Sequence, residues 1–285
     1  MNKLIGLLAL VTILGIPAAA SAETDTLRKI KTTGVITVAH PENALPFAFK
    51  DDKGEPAGYS IDICRRVVAS LTEQLGLATI KINWKAGNTP ERLDMVAKGE
   101  VDMDCGTTTI TLSRQEKVDF SNEIFVESAG ILVLSASEVN TFEDLAGKKI
   151  AVIPGTTTEK RLSRAMKQKL ISAEVVAIQD AKEGIGALTK GKADAYAGDR
   201  LVLVGQVTES ADPSKYAMLS AQFSIDPYGL ALPRGDNAFR LAVNRALAQI
   251  YRGGAIETIF FKWFGSDAKP TALLQAVYLL NAYQD

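Results

Sequence analysis

One histidine, two cysteines and two tryptophans in 285 residues are scant material for several chemistries. With His40 the sole imidazole, neither a metal cluster nor a Ser-His-Asp arrangement is read from the chain, and His40 itself reads as satisfying a turn at Pro41. No cofactor and no metal site is expected. Cys64 and Cys105 are too few for a disulfide framework. An oxidising compartment allows them to pair, but the preferred reading is two buried packing residues, Cys64 on the apolar stripe Ile61, Cys64, Val68, Leu71 and Cys105 at a strand end. Charge of one sign is lacking too: Lys plus Arg number 32 against 33 for Asp plus Glu, a net charge of -1. Without a long basic run, nucleic acid and an electrostatically held membrane surface are not expected partners.

The apolar run Leu4 to Ala20 follows Met1-Asn2-Lys3 and leads into Ala20-Ser21-Ala22. A basic start, an apolar segment and small residues at alternate positions make a secretory signal peptide, cut after Ala22. The run is short for a bilayer span, so export with cleavage is expected over a retained anchor. No Cys stands at the cut to carry a lipid. Of 285 residues, 22 are then lost and 263 remain, enough for two modest cores. Loss of Lys3 moves the net charge from -1 to -2.

From Val35 to Val204 strand patterns alternate with helix patterns, which predicts largely parallel sheets covered on both faces. Two stretches, Lys98 to Thr107 and Lys190 to Asp199, share one spacing: Lys-Gly, two residues, Asp, three residues, Gly, then a polar side chain. Each reads as a helix ended by a left-handed glycine, Gly99 or Gly191, and a strand ending in a glycine-opened turn. Thr89-Pro90-Glu91 reads as a helix start with Thr89 as the capping hydroxyl, and Thr156 with Glu159 and Asp180 with Glu183 have capping-box spacing. The extended segments Gly130 to Leu134 and Tyr228 to Leu232 read as two crossovers between similar lobes, giving a hinge, in preference to two ordinary strands of a single sheet. Helices are expected over Asp236 to Tyr251, Gly254 to Phe264 and Leu273 to Tyr283, the last packing on the first lobe.

Chemistry concentrates at the ends of the repeated units. Gly106-Thr107-Thr108-Thr109 with Arg114 is a hydroxyl cluster beside a guanidinium, suited to a carboxylate; its bland alternative is a turn whose arginine pairs with Glu116 or Asp119. Pro154-Gly155-Thr156-Thr157-Thr158-Glu159 is a second hydroxyl-rich turn into a helix, and lacks the Gly-Lys-Ser/Thr of a phosphate loop. Asp199 is suited to an ammonium group, or else caps a helix or pairs with Arg200. Arg92 sits in the first turn of its helix, where a cation opposes the dipole, so it reads as a ligand contact or a solvated side chain. Phe47 reads as an apolar wall of the cleft or as core.

These residues bring the chain close to a known family. It resembles the periplasmic solute-binding proteins of ABC transporters for polar amino acids, and most the glutamate/aspartate-binding branch, through Leu45-Pro46-Phe47, Gly58-Tyr59-Ser60 with Asp62, Asp102 to Gly106, Arg114-Gln115, Phe120-Ser121, Gly155-Thr156-Thr157 and Lys262-Trp263-Phe264. The resemblance implies an α/β, two-lobed periplasmic-binding-protein fold (type II, Venus flytrap) with two hinge crossovers: residues 1–22 signal peptide, 23–129 with 226–285 the first lobe, 130–225 the second. It implies a monomer in the periplasm that binds an amino acid between its lobes, presents it to a membrane permease and is not an enzyme; the alternative is a periplasmic enzyme on the same scaffold, like cyclohexadienyl dehydratase. Arg114 matches the family's α-carboxylate arginine, with Thr109 and Thr157 its hydroxyl partners; Thr156, in the same turn, is a further candidate contact that a helix cap alone would also explain. Thr107 and Asp199 match acceptors of the α-ammonium group. Arg92, with Thr89, matches the place where acidic-amino-acid binders hold the side-chain carboxylate. Those binders usually add an arginine and a histidine where this chain has Pro41 and Ala181, so the implied ligand is glutamate, aspartate, one of their amides, or an amino acid of similar size.

Overall fold

The computed structural model describes residues 25–220 and 224–284, so the expected signal segment lies outside the described residues. Helix α1 (Asp25–Thr33) leads into β1 (Val35–His40), followed by a small antiparallel sheet of β2 (Asn43–Ala44), β3 (Ala48–Lys50) and β4 (Pro56–Ala57). Then come α2 (Tyr59–Gln74), β5 (Lys81–Ala86), α3 (Thr89–Ala97), β6 (Met103–Asp104), the short α4 (Leu112–Gln115) and the long β7 (Asp119–Glu127). The middle of the chain forms β8 (Ala129–Leu134), β9 (Lys149–Val152), α5 (Thr157–Gln168), β10 (Glu174–Ala177), α6 (Ala181–Thr189), β11 (Ala195–Asp199), α7 (Arg200–Thr208) and β12 (Tyr216–Met218). Strand β13 (Asp226–Leu232) and helices α8 (Asn237–Arg252), α9 (Ala255–Phe264) and α10 (Ala272–Leu280) complete it.

Two five-stranded sheets result, ordered β5-β1-β6-β13-β7 and β10-β9-β11-β8-β12, each at the heart of one lobe of an α/β, two-lobed molecule. The expectation of largely parallel sheets needs correction. Strands β5, β1 and β6 run parallel, as do β10, β9 and β11, but β13 runs antiparallel to β6 and β7, and β8 antiparallel to β11 and β12. The reason is topological. The chain leaves the first sheet at Glu127 and enters the second at Ala129, so each passing strand joins a ladder whose direction was already set by βαβ units. It returns between Met218 and Asp226. The extended runs at Gly130 and Tyr228 are therefore strands just beyond the crossovers.

The helix ends follow from local chemistry. Gly99 (φ 71°) and Gly191 (φ 62°) each follow the C-cap residue of a helix and lie in the left-handed region, where a side chain would be strained. Gly198, expected in a turn, is instead inside β11, paired with Gly130. Asn88 caps α3 in place of Thr89: its side chain accepts from the Glu91 N–H, and the Glu91 carboxylate accepts from the Asn88 N–H. Thr156 and Asp180 cap α5 and α6 as their spacing predicts, but Glu159 and Glu183 reach one residue further back, to the N–H groups of Gly155 and Gln179.

Each face of the second sheet is buried, Ile131, Val133, Ile150 and Leu162 on one side and Leu132, Ala151, Leu188 and Leu203 on the other. The first sheet packs against α2, α8, α9 and α10 through Ile61, Val67, Leu71, Phe239, Val243 and Leu247. At its centre Phe47 contacts Phe125, Tyr228, Phe264 and Tyr59 with ring centroids 4.8, 5.4, 5.8 and 6.0 Å away. Phe47 is fully buried in this nest, so its placement as a cleft wall is corrected to core. The terminal helix packs on β7, and Tyr278 meets the buried Tyr59 hydroxyl at 2.6 Å. Cys64 of α2 is bonded to Cys105, just after β6.

Candidate functional site

Between the lobes lies a cavity of about 330 Å³, at the lower end of the range for small-molecule sites. Eight of the nine residues singled out from the sequence line it: Arg114, Thr107, Thr109, Arg92 and Thr89 from the first lobe, and Thr156, Thr157 and Asp199 from the second. Phe47 does not.

On the first lobe, β6 is followed by the disulfide-tied Cys105 and the chain turns through Gly106 to Thr109, held from behind by the Ser60 hydroxyl donating to the Gly106 carbonyl at 2.9 Å. Thr111 caps α4 and so fixes the start of the turn that carries Arg114. One arm of the Arg114 fork donates to the Thr109 carbonyl at 2.7 Å. Burial, and then the neighbouring charge of Arg92, push the Arg114 guanidinium below its usual pKa, a sign that the site favours an added anion. Its feared surface partners, Glu116 and Asp119, are not what holds it.

Facing Arg114 is the start of α5. Thr156 spends its hydroxyl as a cap, donating to the Ile153 carbonyl at 2.7 Å and accepting from the Glu159 N–H at 3.2 Å. Thr157 is different: its Oγ1 lies 3.2 Å from Oγ1 of Thr109, so one hydroxyl from each lobe meets its counterpart at the cavity wall. The first N–H groups of a helix have no partner within it, and the residues that open α5, Thr157 and Thr158, line the same cavity.

Asp199, at the N-cap position of α7, makes no side-chain cap, and Arg200 donates to the Leu219 carbonyl instead. Both alternatives weighed for Asp199 thus give way. Its carboxylate accepts from Tyr228 Oη at 2.5 Å and from Thr158 Oγ1 at 3.2 Å. Burial raises its pKa to about 6, against the lowering effect of the Tyr228 hydrogen bond. Two sequence features were missed here, Tyr228 and Thr158. Tyr228 carried a weak signal, a phenol in an otherwise apolar strand, where a buried hydroxyl must find a partner.

Arg92 is 1 % exposed and donates from Nε to Asp104 Oδ1 at 2.7 Å, from Nη1 to the Gly87 carbonyl at 2.9 Å and from Nη2 to Thr108 Oγ1 at 3.1 Å. Thr108 in turn donates to the other Asp104 oxygen at 2.5 Å. Asp104 is fully buried behind the wall and was missed; its clue was an acid in a short strand between Met103 and Cys105. Pro41 and Ala181 also line the cavity. His40, beside Pro41, donates from Nδ1 to its carbonyl at 2.9 Å, and burial lowers its pKa.

The lobes touch around this cavity. Asn43 donates to Asp180 Oδ2 at 2.9 Å, Gln206 donates to the Asn43 carbonyl at 3.0 Å, and Arg161 of α5 lies 3.3 Å from Asp226. At the crossover, Glu127 accepts from the Ser128 N–H at 2.8 Å, and burial raises its pKa to about 8. Among the described residues no helix is long and apolar enough to cross a membrane, and no group of three or more His, Cys, Asp or Glu is placed to hold a metal ion.

Comparison with known proteins adds to this geometry. A family model described as bacterial extracellular solute-binding proteins, family 3, matches residues 36–266. The L-glutamate/L-aspartate-binding protein of Pseudomonas aeruginosa is 32% identical over 262 residues, 92% of this chain and 87% of that protein. Among solved structures, an ancestral arginine-binding protein bound to glutamine aligns with a TM-score of 0.73 at 27% identity, over 82% of this chain and 99% of that one. An ancestral amino acid-binding protein described as a precursor of cyclohexadienyl dehydratase aligns with a TM-score of 0.72 at 28% identity, over 84% and 99%.

Proposed function

Because the chain belongs to the bacterial extracellular solute-binding proteins of family 3, we propose that it is the substrate-binding component of an amino-acid ABC transporter. In this reading the exported chain, cut after Ala22, captures a polar or acidic L-amino acid in the periplasm, as a monomer, and delivers it to a membrane permease. Glutamate, aspartate and their close analogues, the amides included, form the ligand set. The observation that carries the reading is that Arg114 and Asp199, from different lobes, line one cavity of amino-acid size.

In this assignment Arg114, Thr109 and Thr157 take the α-carboxylate and Asp199 with Thr107 takes the α-ammonium group. A ligand gripped from both lobes stabilises the closed form by its differential affinity, and closure is what a permease reads. A thermal-shift screen of the common amino acids against the ligand-free protein tests this directly, since a ligand that prefers the folded form raises the midpoint. The cyclohexadienyl dehydratase link of one structural neighbour keeps an enzyme on the same scaffold as the rival reading. Recovering the bound amino acid unchanged after prolonged incubation supports the binder; turnover supports the rival.

The pKa of Asp199 gives a pH dependence with a definite sign. An acid raised to about 6 is ionised above that pH and meets an ammonium group as a carboxylate. Below it, affinity is expected to fall by up to about tenfold per pH unit. Titration calorimetry between pH 5 and pH 8, buffer values chosen to bracket about 6, shows the drop, and the Asp199→Asn variant should lose it while binding weakly throughout.

Closure itself can be tested at Gly205, within α7. A Cβ there would meet the carbonyl oxygen of Leu45, on the other lobe, at 2.4 Å. Alanine favours the helix, so Gly205→Ala should not lower the melting midpoint of the unliganded protein. It is expected to weaken ligand binding by about tenfold or more, because the closed form must shift to admit the methyl group. Equal calorimetric affinities for variant and wild type would show that this contact plays no part in binding.

A further inference from the structure

We propose that Asp104, itself behind the cavity wall, sets the charge of the ligand side chain: the cavity takes an amino acid with a neutral, polar side chain of the carboxamide class. The inference rests on the proposed capture of a zwitterion by Arg114 and Asp199, and narrows the ligand set given there.

Among the described lining residues the cations are Arg92 and Arg114. Arg114 and Asp199 are matched to the two charges that every amino acid carries. Any charge on the side chain must therefore be met by what remains. Arg92 is the cation left, and its charge is already answered. Its Nε is bonded to Asp104 Oδ1 at 2.7 Å, with the two side chains 1% and 0% exposed. Both Asp104 oxygens are used, the second accepting from Thr108 at 2.5 Å, and the Arg92 fork is further tied to Gly87 and Thr108. This is a closed, neutral unit, and turning the arginine toward a ligand would strand a buried aspartate.

The rest of the lining is acidic or uncharged. Glu42 is ion-paired with Lys50, Glu91 is occupied in the cap of α3, and Asp180 caps α6 while accepting from Asn43. Pro41, Ala181, Asn43, Thr89 and Thr107 add no charge. A side-chain carboxylate brought into this space would be desolvated without a counter-charge of its own, which is costly. A carboxamide carries no charge to desolvate. Its NH₂ suits acceptors such as Asp180, and its carbonyl suits donors such as the threonine hydroxyls and the guanidinium edge of Arg92. The acids that remain after these pairings lie at the starts of α3 and α6, where the helix dipole offsets them, so the lining does not call for a cationic side chain either.

The test is isothermal titration of the mature protein at pH 7.5 with glutamine, asparagine, glutamate, aspartate, lysine and arginine, repeated with Asp104→Asn. Glutamine or asparagine is expected to bind at least about tenfold tighter than its acid and than either basic amino acid. In Asp104→Asn the charge of Arg92 is released, and the glutamate-to-glutamine affinity ratio should rise by at least about tenfold. A merely structural role for Asp104 would weaken both ligands alike and leave that ratio unchanged, which would overturn its assignment as the charge-setting residue. Tighter binding of glutamate, aspartate, lysine or arginine by the wild type would overturn the inference whether or not the variant folds. If none of the six amino acids binds, and none of the remaining common ones shifts the melting midpoint, the failure belongs to the functional reading and not to the role of Asp104.

Discussion

Arg114→Ala is expected to remove most of the ligand affinity, on the order of 3 kcal/mol or a hundredfold in the dissociation constant. Two features make this the largest single loss at the site. A guanidinium delivers parallel, charge-assisted hydrogen bonds to a carboxylate, each roughly twice as strong as a neutral one. The site also holds Arg114 where burial lowers its pKa, so an incoming anion relieves a desolvation cost already incurred in folding. Loss of a single hydroxyl, as in Thr157→Val, should cost about 1 kcal/mol by comparison. Arg114→Lys keeps the charge but not the fork, and should fall between the two. Calorimetry ranks the three variants, and an Arg114→Ala protein that binds like the wild type would remove this residue from the site.

Removing the disulfide is expected to be the largest loss of stability. Cys64 and Cys105 are 41 residues apart in sequence, and cross-linking a loop of that length limits the unfolded chain by about 4 kcal/mol. For a chain of this size the Cys64→Ala/Cys105→Ala double variant should melt about 10 °C lower. The bond joins α2 to the residue before Gly106, so the loss should also reach the site. Chemical denaturation of the double variant measures the first effect, and its affinity for the ligand measures the second. A midpoint unchanged from the wild type would mean that packing around α2 alone fixes the loop.

The two-lobed α/β plan was legible because its signals are local. The apolar stripe of α2, the caps at Thr156 and Asp180, and the glycines that end α3 and α6 are each written within a few residues. The site residues at strand ends were legible for the same reason, since a repeated spacing put hydroxyls and an acid where strands stop. What was illegible depends on partners far away in the chain. The antiparallel direction of β13 is set by β7, which it meets across the whole second lobe. Phe47 looked equally suited to cleft or core, and only Phe125, Tyr228 and Phe264 folding around it decide the matter. That Arg92 is ion-paired was not legible, because the acid that answers it is a dozen residues away on another element. Asn88 took the cap of α3 from Thr89 because both residues qualify, and the sequence does not say which one starts the helix.

Glu127 and Asp226 stand opposite each other in register, one on the strand that leaves the first lobe and one on the strand that re-enters it. Burial raises the Glu127 pKa to about 8, while Asp226 is held by Arg161 of the second lobe at 3.3 Å. A raised carboxyl pKa contributes stability that is present in acid and lost as the proton leaves. Stability is therefore expected to decline between the ordinary carboxylate range and about pH 8, and the cause sits where the chain passes from one sheet to the other.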